Sequence, residues 1–200
     1  MDMKASAPDL RMRAQTGRSR SLTWAGYAVF VWSIAYMLPH LYWALDGKVG
    51  LSLLKPEISA SSEWEMINWV ASGILTAAGF LGIAMIYLEK RKWLSWSLLA
   101  IICAGCAVAT SHGIYGIGYR ALQIMGAIET DSGPFDMKQH AYVLWDLLLF
   151  EPWFAIEGIL LGVLGWCFMN KPRGRRIWST LCTVGVLVGL ITGLIGVRFA

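Results

Sequence analysis

Apolar residues run almost without interruption through five stretches of the chain: Leu22 to Leu45, Trp64 to Leu88, Trp93 to Ile117, Ala141 to Met169 and Arg176 to Val197. A helix rises about 1.5 Å per residue, so each stretch is long enough to cross roughly 30 Å of hydrocarbon. The pattern predicts an all-α fold, an integral membrane bundle of five transmembrane helices forming a single domain over 22–198. Residues 1–21 form a polar tail. The connections Glu89-Lys90-Arg91-Lys92 and 171–175 are short, so spans two and three, and spans four and five, are expected to form antiparallel pairs. The other two connections are longer. Residues 46–63 are polar and turn-rich, and 118–139 contain RALQIMGAI, which reads as a short amphipathic surface helix before a GPFD turn.

Composition agrees with this reading. A chain of 200 residues that is 56% hydrophobic and 15% charged has too little polar surface for one soluble domain. Charge placement adds a direction. The tail (Lys4, Arg11, Arg13, Arg18, Arg20) and the two short connections (Lys90, Arg91, Lys92, Lys171, Arg173, Arg175, Arg176) hold most of the Lys and Arg. Only Lys48, Lys55, Arg120, Lys138 and Arg198 fall on the other side. By the positive-inside rule the N-terminus is inside and the C-terminus outside, as expected for a multi-pass protein of a bacterial plasma membrane. The net charge of +4 is largely this topological signal and gives no support to nucleic-acid binding. The bilayer itself is the first partner.

Tryptophans mark depth, because indole prefers the two interfaces. Trp24 and Trp43 bracket span one, and Trp145 and Trp166 bracket span four, at separations of about 28 and 31 Å along a helix. Trp93, Trp96 and Trp178 fall at inner ends, and Trp64 and Trp69 at an outer end. Trp32 and Trp153 fit neither belt and are expected to pack between helices.

Against those markers, Asp146, Glu151 and Glu157 interrupt the fourth span at about 1, 9 and 18 Å below Trp145. Charged groups at such depth cost on the order of 2.5–3.5 kcal/mol each on insertion scales, so they usually face a cavity or a partner. His40 and His112 share the outer depth with Asp146 and Glu151. Tyr36, His40 and Trp43 line one face of span one, and His112, Tyr115 and Tyr119 one face of span three. Asp146 and Glu157 share a face of an α-helix, whereas Glu151 points about 140° away from Asp146, so one pocket cannot readily hold all three acids. Pro152 removes a backbone donor and is the device that could turn Glu151 inward. Each acid has a plainer alternative, as a neutral or paired group that only helps packing. The candidate ligand-binding residues are therefore Tyr36, His40, Trp43, His112, Tyr115, Asp146, Glu151 and Glu157. A divalent metal on His40, His112 and Glu151 is compatible with the sequence but not required by it.

Two segments, PHLYWALDG (39–47) and FEPWFAIEGILLGVLGW (150–166), resemble a family of small bacterial multi-pass membrane proteins of unknown function. In that pattern a His-x-Tyr-Trp-Ala-x-Gly-Gly element ends the first span and a Pro-Trp element lies in a late one. The resemblance implies a helical membrane fold and no particular activity. Asp46 stands where the pattern has Gly, and Glu157 where Gly is expected after the Pro-Trp element.

Cys103 and Cys106 form a C-x-x-C inside a continuous span, with Cys167 and Cys182 nearer the inner side. Helix geometry holds such a pair about 5–6 Å apart at Cβ, too far for a disulfide, so small core residues are the better reading. Gly105, Ala109 and Gly113, Gly158 and Gly162, and Gly185, Gly189 and Gly193 form small-residue stripes. They imply close packing within the bundle, or in the last case a homodimer seam. Three function classes remain: a protein binding or transporting a small polar or cationic molecule, with Glu151 as counter-charge; a membrane enzyme using a His/Glu acid-base pair or a metal on a lipid-like substrate; and a structural subunit. The first fits the outer polar and aromatic residues best. Walker, Rossmann, HExxH and CxxCH motifs are absent from the sequence.

Overall fold

The computed structural model of the chain describes residues 7–51, 63–88, 92–128 and 137–195, the side chains of 7–19, 92, 93 and 137–139 excepted. Its helices are α1 (Ala7–Ala44), α2 (Trp64–Tyr87), α3 (Lys92–Ile124), α4 (Met137–Trp145), a π-helical turn (Asp146–Phe150), α5 (Glu151–Phe168) and α6 (Pro172–Leu194). The α4, π-turn and α5 segments run on as one rod. Five helices are long and apolar enough to cross a membrane: Arg20–Ala44, Trp64–Tyr87, Leu94–Ile124, His140–Phe168 and Pro172–Leu194. This is the pattern of an all-α, multi-pass membrane protein.

Three boundaries differ from the sequence expectation. The tail is already helical from Ala7, α6 begins at Pro172, and α3 continues through Arg120 to Ile124. The amphipathic character of RALQIMGAI thus belongs in part to the end of α3, since nothing before Gly126 breaks the helix. The GPFD turn, most of the 46–63 connection and residues 89–91 lie outside the described residues.

The helices joined by the short connections are not the main neighbours in space; those joined by the long connections are. α1 packs on α2 and on α5, and α3 packs on α5 and on α6, whereas α2 against α3 and α5 against α6 touch little. The expected antiparallel pairs are therefore corrected: close packing follows the small residues and not the short connections. Gly26 and Gly82 bring α1 and α2 together so closely that a Cβ on either would lie 2.6 Å from the other's carbonyl oxygen. Gly113 and Gly158 do the same for α3 and α5. Gly185, Gly189 and Gly193 face Ala107, Ser111 and Tyr115 of α3, so that stripe is engaged within the chain. In lipid, where no hydrophobic force drives helices together, such approach is what packing uses.

The two halves of the bundle have different interiors. On the side of the short connections, Leu22, Ala25, Val29, Met85, Leu99, Ile102, Cys106, Leu161, Leu164, Cys167, Trp178 and Cys182 form one apolar core. Cys103 Sγ and Cys182 Sγ touch there at 4.0 Å, and all four cysteines are free. On the side of the long connections, the loop side, the buried set includes Ser33, Tyr36, Asn68, Ser72, Thr110, Ser111, Gln123, Asp146, Glu151 and Glu157. Trp24, Trp69, Trp96, Trp145 and Trp166 are exposed, as interfacial residues should be. Trp178 and Trp43 are buried and leave that group: Trp178 donates to the Gly162 carbonyl at 2.8 Å and lies on Gly165, and Trp43 donates to the Val49 carbonyl at 2.9 Å.

The end of α1 shows what the HLYWALDG segment does. Gly47 N–H donates to Tyr42 O at 2.9 Å and Asp46 N–H to Trp43 O at 3.1 Å, a Schellman closure with Asp46 in the left-handed region at φ 66. The same closure ends α3, with Gly126 at φ 70. Asp46 thus occupies a glycine position, the one where the resembled pattern carries Gly. Its contact with Lys48 joins two exposed side chains and contributes little. Asp46→Gly is expected to leave thermal stability unchanged or raise it, by up to about 1 kcal/mol. Thermal unfolding in detergent measures this; a clear loss would mean that the ion pair outweighs the backbone strain.

Candidate functional site

The rod containing α5 carries three acids into the protein and shows apolar residues outward. Leu148 is 71% exposed, whereas Asp146 and Glu151 are each 8% and Glu157 4% exposed. The π-turn explains how Asp146 and Glu151 come to share a direction. Glu151 N–H donates to Asp146 O, five residues back, so residue 151 stacks over residue 146, as residue 150 would in an α-helix. Pro152, which has no N–H, follows immediately and favours the local change of register. The angle of 140° expected for an α-helix is thereby removed.

Both acids then face α3. From the loop side inward, Arg120 donates to Asp146 Oδ2 at 2.5 Å, to Gln123 Oε1 at 2.8 Å and to Tyr142 Oη at 2.5 Å. Tyr142 Oη lies 3.4 Å from Asp146 Oδ2, and the guanidinium lies 4.9 Å from the centre of the Tyr142 ring. One turn further in, the Glu151 carboxyl rests on Gly116, where a Cβ would collide with it. His112 Nε2 stands 3.7 Å from Glu151 Oε2, outside hydrogen-bond range. Glu151 Oε2 is buried with no hydrogen-bond partner. His112, Gly116 and Arg120 recur every four residues, so one face of α3 makes the whole arrangement.

Aromatic rings close the inner wall. His112 packs edge-on against Phe154 (4.7 Å between centroids), Phe154 against Tyr36 (5.3 Å), and Tyr36 stacks on Trp153 (5.1 Å). Trp153 also stacks on Trp32 at 4.4 Å, which places both tryptophans between helices as expected. His40 lies on the far side of Tyr36. Asn68 Nδ2 donates to Trp64 O at 2.7 Å, so its Oδ1 accepts from His40 Nδ1 at 2.9 Å. His40 therefore joins α1 to α2 and does not reach Glu151. Among the described residues, no group of three His, Cys, Asp or Glu side chains is placed to hold a metal ion. The divalent-metal set of His40, His112 and Glu151 is corrected accordingly.

Of the sequence candidates, the fold gathers His112, Asp146 and Glu151, with Tyr36 behind Phe154. Trp43 serves the loop after α1, Tyr115 faces Gly193 of α6, and Glu157 points to Ser33 of α1. Arg120, Gly116, Tyr142, Phe154 and Gln123 were not among the candidates. Ending span three at Ile117 hid Arg120, and its spacing from His112 was the available signal.

A family model described as "Protein of unknown function (DUF3995)" matches residues 32–161. The chain belongs to that family. The DUF3995 segment runs from within α1 to the middle of α5 and contains every residue of the arrangement above, while the basic end of α1 and all of α6 lie outside it. No curated protein and no solved structure matches the chain.

Proposed function

We propose that this DUF3995 protein lies in the cell membrane with its N-terminus in the cytoplasm and its loop side outward, and that it binds or transports a small cationic molecule there. Protonated amines are the ligand class that suits the site. One observation carries the reading: Glu151 is a buried acid without a committed cation. The donors of Arg120 go to Asp146, Gln123 and Tyr142, and His112 is too distant to bond. The site thus holds two acids but one guanidinium, which is bound to Asp146, and an ammonium group would supply both the missing charge and an N–H for Glu151 Oε2. Phe154, with Tyr36 and Trp153 behind it, offers aromatic surface to the alkyl part. The basic tail and short connections support the orientation.

A thermal-shift series on the purified protein tests the reading. Ethylammonium should raise the melting temperature in a saturable way and more than tetramethylammonium, which has no N–H to give. Glu151→Gln, which keeps shape and removes the charge, should abolish the shift while melting within a few degrees of wild type. An equal ethylammonium response in wild type and Glu151→Gln would end the proposal.

A further inference from the structure

Glu157 lies six residues deeper than Glu151, about 9 Å along the helix, and faces α1 instead of α3. Its partner Ser33 is fully buried. Ser33 Oγ stands 2.6 Å from Glu157 Oε1 and 2.8 Å from Val29 O. A hydroxyl carries one proton and can donate to only one of these oxygens. Both contacts are hydrogen bonds when Glu157 is a carboxylic acid donating to Ser33 Oγ while Ser33 donates to Val29 O. When Glu157 is a carboxylate, Ser33 turns its proton to Oε1, and the Val29 carbonyl keeps the backbone N–H of its helical turn. Rotation of one hydroxyl thus completes the bond at Oε1 in either state.

Among the described residues, no cation pairs with Glu157 to fix it in one state. The acid–base contacts among the described residues join Asp46 to Lys48, Arg120 to Asp146 and, at 3.7 Å and beyond hydrogen-bond range, His112 to Glu151. Around Glu157, α1 brings Ser33 and, one turn on, Tyr36; α3 brings Thr110 and Cys106 against the adjoining Gly158. Glu151 is the nearest acid on its own rod. Between Asn68 and Met85, α2 has no titratable residue, and between Ser179 and Leu194, α6 has only Cys182.

The buried polar side-chain atoms without a hydrogen-bond partner, among the described residues, are Glu157 Oε2, Thr110 Oγ1, Trp153 Nε1 and Glu151 Oε2. Three lie on one stretch of α5 and the fourth lies opposite, beside Gly158. Buried polar atoms as a rule carry partners, so these four, with Glu157 and Trp153 toward α1 and Glu151 and Thr110 at the α3–α5 contact, leave polar capacity unmet on both sides of α5 around and loop-side of Glu157.

We propose that Glu157 is a proton-binding site inside the membrane-spanning bundle, reversibly loaded. In unloading, the carboxyl O–H bond breaks, its electron pair stays on Glu157, and the proton passes to water on the loop side. Ser33 is the positioning residue that serves both states. The site goes beyond the amine reading and stands without it.

Infrared difference spectra of the protein in lipid, recorded between low and high pH, read the carboxyl group directly. The wild type should show a protonated, hydrogen-bonded carboxyl C=O band that disappears as pH rises. Glu157→Gln should lack that band and Glu151→Gln should keep it. Ser33→Ala, which leaves the carboxyl group in place, should keep the band but shift both its frequency and its titration midpoint. Identical spectra for wild type and Glu157→Gln would overturn the proposal. If Glu157→Gln fails to fold, Ser33→Ala decides alone: an unmoved carboxyl band and midpoint would overturn it equally.

Discussion

Arg120→Ala is expected to destabilise the protein by about 3–5 kcal/mol, the range found when one partner of a buried ion pair is removed. Arg120 and Asp146 are 18% and 12% exposed at their side chains, so water does not replace the lost guanidinium. Asp146 would keep only Tyr142 near it, and Gln123 would lose the donor at its amide oxygen. Asp146→Ala should cost a similar amount by stranding the cation. The double variant should recover much of the loss, because an apolar pair at that depth strands nothing. Unfolding of the four proteins in detergent gives the coupling energy. Additive losses would show that the two side chains act independently.

The second large effect is expected at Gly113, where α3 and α5 meet backbone to backbone. A Cβ there would lie 2.5 Å from both Glu151 O and Ala155 N, and 2.8 Å from the Ala155 Cβ. Backbone atoms cannot move aside as the end of a flexible side chain can. Gly113→Val should therefore reach or exceed the top of the usual overpacking range, about 3 kcal/mol. It should also weaken the proposed ammonium binding, because it displaces the turn that carries Glu151. Gly118 has open space around it, so Gly118→Val is the control and should change stability little. Equal stability of the Gly113 and Gly118 variants would mean that the α3–α5 contact is looser than described.

The five spans were legible because length and hydropathy alone determine them: each apolar run became a helix long enough to cross a membrane. The exposed tryptophans were legible for the same reason. What surrounds Trp178 and Trp43 was not, since Gly165 and the Val49 carbonyl meet them only after folding. The direction of Glu151 was hidden for a different reason. Side-chain periodicity assumes one hydrogen-bond register, and the π-turn changes it between Asp146 and Glu151. Pro152 hinted at a disturbance without giving its size. The separation of His40 from His112 depends on Tyr36 and Phe154 packing between them, which equal depth in the membrane cannot reveal. Helix neighbours followed the glycines, so a pairing guess from short connections went to the wrong helices.

These observations converge on Glu151 as the uncompensated acid at the α3–α5 seam. The most direct measurement is equilibrium binding of radiolabelled ethylammonium to the protein in liposomes of known orientation. Saturable binding from the loop side in wild type, lost in Glu151→Gln and kept in Asp46→Gly, is the predicted result. Undiminished binding in Glu151→Gln, or binding only from the side of the short connections, would contradict the account.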